Sequence, residues 1–144
     1  MAALVREKFT VCGRDSAITA SHLNAHYAAR IDPTNGDLAN GKPGVNLSGS
    51  AADALDVYGE IKGAVNADTV TVQTGGILYL RVDTGTLANV AAINAVAGQG
   101  VQTDGADSGE VENTGTLGTG FGRILGGLEV DGVLCAVVDA DATS

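Results

Sequence analysis

Short runs in which Val, Thr or Ile alternates with polar residues, each closed by Gly, Asp or Asn, fill most of this 144-residue chain from residue 56 onward. Strand side chains point to opposite faces in turn, so this period of two, broken often by turn residues, predicts short strands folded into a sandwich or a small barrel. The clearest run, Thr69-Val70-Thr71-Val72-Gln73-Thr74, sets Val70 and Val72 on one face and the threonines with the polar face. Gly75-Gly76 reads as a tight turn, and Ile77 to Val82 as the returning strand of a hairpin. Further strands are expected at Gly100 to Thr103, Glu110 to Asn113, Gly122 to Leu125 and Gly132 to Asp139. Upstream, Thr19 to Arg30 reads as a short helical turn and then a strand from His26 to Ile31. Asp32-Pro33-Thr34-Asn35-Gly36-Asp37 has the composition of a hairpin tip. Gly41 to Ser50 reads as a loop, and Leu87 to Ala97 as a second helical candidate. The expected class is mainly all-β: a compact β-barrel-like or β-sandwich single domain with short helical turns. Residues 1–14 form an N-terminal strand or arm, and residues 15–144 one β-rich domain.

Gly and Ala together occupy 43 of the 144 positions, so the core must be thin. Val, Leu, Ile and Phe still make up a quarter of the chain, above the ~20% below which a charged chain stays disordered. The net charge of -9 repels polyanions, and the eight basic residues are scattered, with only the first thirty residues leaning positive. Nucleic acid is therefore not an expected partner. Trp is absent and the five Phe and Tyr are too few for a platform that stacks bases or sugars. No stretch reaches the ~18 apolar residues of a membrane span, and the first residues lack the apolar run of a secretory signal, so synthesis in a cytoplasm is expected.

A weak internal repeat runs through the strand region. Sliding Gly59–Thr74 by 63 residues lays it on Gly122–Val137, with Gly59/Gly122, Ile61/Ile124, Gly63/Gly126, Asp68/Asp131 and Val70/Val133 identical and Val72/Cys135 similar in kind. Read physically, each copy is a strand, a bend that Gly permits, an Asp-led turn and a second strand, used twice in one core. Ile61, Val70, Val72, Ile124, Val133 and Cys135 are the core candidates.

This pattern resembles the small capsid decoration, or cement, proteins of tailed bacteriophages. In that family a segment of the form G-x-h-x-G-x-h, small residues, D/G-x-V-x-V, G-I, with h apolar, recurs near the middle and at the C-terminus. The counterparts are Gly59 to Thr74 with Gly76-Ile77, and Gly122 to Val138. Between them the family's Ala-rich stretch and Val-x-Thr-Asp strand correspond to Ile93 to Gly100 and Val101-Gln-Thr-Asp104. The resemblance spans roughly residues 53–140 and departs from the family in the longer segments Asn40 to Ala52 and Asn113 to Phe121. It implies a structural protein rather than an enzyme, made in a bacterial cytoplasm and seated on the outer surface of the virion. Its partners would be the major capsid protein and other copies of itself in a homotrimer, and its work would be to support the shell against internal DNA pressure.

From the residues themselves, the N-terminal segment is the candidate anchor. Val5, Phe9 and Val11 alternate with polar or charged neighbours, and Arg6, Lys8 and Arg14 stand out against an acidic chain. A first strand of the domain's own sheet is an equally good reading. His22 and His26, four apart, could share a helix face and a metal, but no H-E-x-x-H pattern or third ligand accompanies them. Asp104, Asp107, Glu110 and Glu112 lack the residue order of a calcium loop. Gly118-Thr-Gly-Phe-Gly122 lacks the remainder of a phosphate-cradling motif. No metal, cofactor or catalytic group is expected. Cys12 and Cys135 read as two buried free thiols, or as a disulfide joining the terminal strands. Two other classes stay open. A trimeric β-rich nucleotide hydrolase would need a Gly-rich C-terminal arm with Phe, and a free-standing surface-binding module would need aromatic or charged binding loops.

Overall fold

The structure, a computed structural model, describes residues 7–49, 57–106 and 108–142. Among them the chain forms ten strands, one short α-helix and three single-turn 3-10 helices. Five strands close a barrel in the order β1-β3-β2-β4-β5: β1 (Lys8–Arg14), β2 (Ala28–Ile31), β3 (Gly44–Leu47), β4 (Gly59–Asn66) and β5 (Thr69–Gly75). The β1–β3 pair is parallel and the other four pairs are antiparallel. A three-stranded sheet β6-β10-β9 follows, built from β6 (Ile77–Arg81), β9 (Arg123–Val130) and β10 (Val133–Asp139). The pair β7 (Gln99–Thr103) and β8 (Val111–Leu117) completes the fold, with α1 (Val90–Asn94) packed on β9. The expected all-β class with short helical turns is thus the observed one.

The repeat proves to be two hairpins, β4–β5 and β9–β10, and its sequence spacing has a structural cause. In the first copy Ile61 pairs with Val72 and Ala64 with Val70; in the second, Ile124 pairs with Val138 and Gly126 with Val137. Each leading strand therefore holds one extra residue just after its buried Ile, a β-bulge beside the repeated Gly. Two corrections follow. The copies do not share a core: Ile61, Val70 and Val72 pack with Cys12, Ile18 and Val45 inside the barrel, whereas Ile124 packs with Leu78, Leu80, Ile93 and Val138 on the second sheet. Val133 is only half-buried, although Cys135 is fully buried. The reason is the turn. Ala67-Asp68 closes the first hairpin and Asp131-Gly132 the second, so the turn shifts by one residue against the repeat and leaves Val133 beside the bend.

Thr69–Val82 is not a hairpin. β5 pairs with β1 and β4, and β6 pairs with β10, so the two runs belong to different sheets. Gly76, at φ +81°, turns the chain out of the barrel in a conformation that L side chains rarely adopt. Within Gly41 to Ser50, read as a loop, Gly44–Leu47 is a barrel strand held between β1 and β2. The turn at Ala20–His22, the strand at Ala28–Ile31 and the helix inside Leu87 to Ala97 are where the sequence placed them. The Asp32–Asp37 segment lies in a longer β2–β3 connection that carries two 3-10 turns.

Truncating Ile61 or Ile124 to Ala should each cost about 2 to 5 kcal/mol, since both are completely buried. Val133→Ala should cost less than about 1 kcal/mol. Urea unfolding of the three variants measures the difference.

Candidate functional site

The first residues of the described chain are a barrel strand. Along β1 the inward positions include Cys12, which is fully buried, while Phe9 and Val11 face outward and are 51% and 42% exposed. Their neighbours on the outer wall are Gln73 and Thr71 of β5. The strip ends at Gly13, where the backbone carbonyl of Asn35 lies so close that a Cβ could not fit. Lys8 is exposed at the start of the strand. Arg14 is spent on the fold: its Nε donates to the Ala67 carbonyl (2.9 Å), and its backbone N–H to Asp68 (3.0 Å), tying β1 to the β4–β5 turn. Of the candidate anchor residues, the structure therefore brings Phe9 and Val11 together on an accessible face, leaves Lys8 exposed next to Phe9 in the chain, and sets Arg14 apart. Val5 and Arg6 lie outside the described residues.

The most concentrated chemistry lies elsewhere, in the seam between the barrel and the second sheet. Glu60 sits on β4 between Gly59 and Ile61, points away from the barrel core and is fully buried. Its Oε1 accepts the Tyr79 N–H (2.9 Å), and its Oε2 accepts from His26 Nδ1 (3.1 Å) and Lys62 Nζ (2.9 Å). A buried carboxylate is tolerable only when it is paired and hydrogen-bonded in this way. Beside it, Arg81 of β6 donates from Nε and Nη2 to the Ala25 carbonyl (3.3 Å each) and lies 4.3 Å above the Tyr27 ring. Here the sequence carried one signal: Glu60 and Lys62, two apart on a strand, must share a face.

The two histidines do not share a helix face. His22 closes a 3-10 turn, its Nδ1 accepting the Thr19 N–H (3.0 Å), while His26 lies beyond it at φ +69° and is bound to Glu60. Burial and then the Arg81 charge lower the His22 pKa from its ordinary 6.5.

Of the acidic stretch 104–112, Asp104 and Glu110 converge with Asp83, their oxygens within 4.8 Å of one another; Asp107 lies outside the described residues. Burial raises the Glu110 pKa, and the neighbouring Asp104 and Asp83 raise it further. The two aspartates already serve their own loops: Asp83 accepts from the Gly85 N–H and the Thr86 hydroxyl, Asp104 from the Ala106 N–H and the Ser108 hydroxyl. An open surface pocket of about 300 Å³ lies alongside, lined by Arg81, Thr84, Glu110, Glu129 and Val133 among others.

Cys12 and Cys135 are free and buried, and burial pushes their thiols up to about 11 and about 12. At pH 8 roughly one Cys12 in a thousand would be thiolate, the nucleophilic form. Neither thiol of the native protein should react with a disulfide reagent over minutes at pH 8, and both should react once the chain is unfolded. No known family model matches the chain, and no curated protein and no solved structure is significantly similar to it.

Proposed function

We propose that the protein decorates the head of a tailed bacteriophage, binding the outer surface of the shell through the outer wall of β1 and stabilising it by contact area rather than by chemistry. The observation that carries this reading is the strip of Phe9 and Val11: two large apolar side chains held outward on a closed barrel, with Lys8 beside them on an otherwise acidic body. An apolar patch fixed on a rigid wall suits docking, and a local cation draws it to an acidic surface that the net charge would otherwise repel. The resemblance of residues 53–140 to the decoration proteins supports the same reading.

The partners in this proposal are the major capsid protein and further copies of the chain in a trimer, with no nucleic acid and no membrane. A second exposed apolar group, Leu125 and Leu128 of β9, supplies a surface for contact between copies. Several modest contacts repeated around a lattice raise the effective concentration of each, so no single interface has to be strong.

The double substitution Phe9→Asp, Val11→Asp should leave the thermal unfolding midpoint within a few degrees of the parent. It should abolish co-sedimentation with heads assembled from the major capsid protein of the same virus. Binding by the parent should weaken as salt is raised, because the Lys8 attraction is screened. Retention of the double variant on the heads at the parental level would refute the assignment of this face.

A further inference from the structure

The segment from Thr19 to Tyr27 touches both halves of the molecule. On the barrel side the Asn24 N–H donates to the Lys62 carbonyl (3.2 Å), the Tyr27 carbonyl accepts the Ile61 N–H (2.8 Å), and His26 holds Glu60. On the side of the second sheet the His26 carbonyl accepts the Arg81 N–H (2.7 Å), and the Ala25 carbonyl accepts the Arg81 guanidinium. Asn24 and His26 both hold positive φ, at 53° and 69°, an arrangement that costs a non-glycine residue free energy and persists only where surrounding contacts enforce it. The segment is a strained strap across the seam.

One end of the strap depends on a neutral imidazole. The Thr19 N–H can only donate, so His22 Nδ1 must be unprotonated, with the ring proton on Nε2. The His22 ring stands edge-on to Tyr27 at 4.8 Å, and the Arg81 guanidinium lies over the same Tyr27 ring. We propose that Thr19–Tyr27 is an acid-sensitive clasp: protonation of His22 replaces the Thr19 hydrogen bond with two opposed donors, sets a second cation near Arg81, and frees the strap from β6.

The groups around His22 are few. From its own segment it meets Thr19 and Tyr27, neither of them a carboxylate. From β6 it meets the positive charge of Arg81, whose influence also reaches Glu110 and Cys135. On β4, Glu60, which holds the neighbouring His26, is already shared between His26, Lys62 and the Tyr79 N–H. None of these groups is a free anion to pair with the protonated ring. The lowered His22 pKa fixes the sign: its stabilising contribution is complete above the ordinary imidazole value and disappears as pH falls through the displaced one.

Amide hydrogen exchange on the full chain, corrected for the intrinsic pH dependence of exchange, tests the clasp. Between pH 7.5 and pH 5 the Asn24 and Arg81 amides should lose protection several-fold while the barrel amide of Val72 does not. His22→Gln, which keeps an acceptor for Thr19 and has no charge to gain, should abolish the loss, and His26→Gln should retain it. If His22→Gln does not fold, the wild-type ring titrations followed by NMR decide: the midpoint of the exchange change should coincide with that of His22. Coincidence with His26, persistence of the loss in His22→Gln, or no loss in the parent would overturn the proposal.

Discussion

The outer edge of β6 is the constraint around which this molecule is arranged. β6 pairs with β10 on one side only, so on the other its polar groups face the barrel with no strand to receive them. Three of them are met by something else: Gln73 Nε2 donates to the Ile77 carbonyl, Glu60 accepts the Tyr79 N–H, and the His26 carbonyl accepts the Arg81 N–H; just past the strand, the Val111 carbonyl of β8 accepts the Asp83 N–H. A bare sheet edge invites pairing with another chain, and a buried one left unsatisfied is costly. Here side chains of the barrel and one strained loop stand in for the missing strand. That substitution explains why a carboxylate is buried at all, and why two non-glycine residues tolerate the left-handed region.

The same seam explains the composition. Two apolar clusters lie on either side of it, and β2 serves both: Ala28 packs with the second-sheet cluster and its neighbour Ala29 with the barrel cluster. Where a strand faces apolar neighbours on both sides, successive small or aliphatic residues replace the alternation with polar ones, as at Ala28-Ala29. Small side chains let the two cores approach closely. Gly13 and Gly59 allow close approaches within the barrel half, where a Cβ would run into the Asn35 backbone of the β2–β3 connection or the Gln73 backbone of β5. The Gly and Ala content that promises a thin core therefore belongs to two thin cores set back to back.

What could be read from the sequence was what is encoded locally. Alternation over Thr69–Thr74, the Asp-containing two-residue turns and the Ile-x-Gly bulges all act within a dozen residues, and the hairpins β4–β5 and β9–β10 follow from them. What could not be read was the choice of distant partner. Thr69–Thr74 and Ile77–Val82 have every local mark of a hairpin, yet β1, some sixty residues upstream, occupies the edge of β5 that β6 would need. Gly44–Leu47 is framed by Lys42-Pro43 and Ser48-Gly49 and is drawn into a strand only by its barrel neighbours. The anchor segment shows both effects: its alternation marks a strand, which the barrel takes up between β3 and β5 with Phe9 and Val11 outward, while Arg14, basic in sequence, turns out to be bonded to a turn fifty residues away. Glu60 and His26, which organise the seam, could not be paired in advance because they meet only once both halves are in place.

The two buried thiols offer a direct test of whether Glu60 joins the halves, because Cys12 reports on the barrel and Cys135 on the second sheet. Pulsed thiol labelling across a urea series, resolved by peptide, should find both cysteines exposed at one common midpoint in the parent. In Glu60→Ala the unpaired His26, Lys62 and Tyr79 N–H should lower stability by about 3 to 5 kcal/mol. Cys135 should then become reactive at a lower urea concentration than Cys12. Coincident midpoints at undiminished stability would contradict the claim that this carboxylate holds the two halves together.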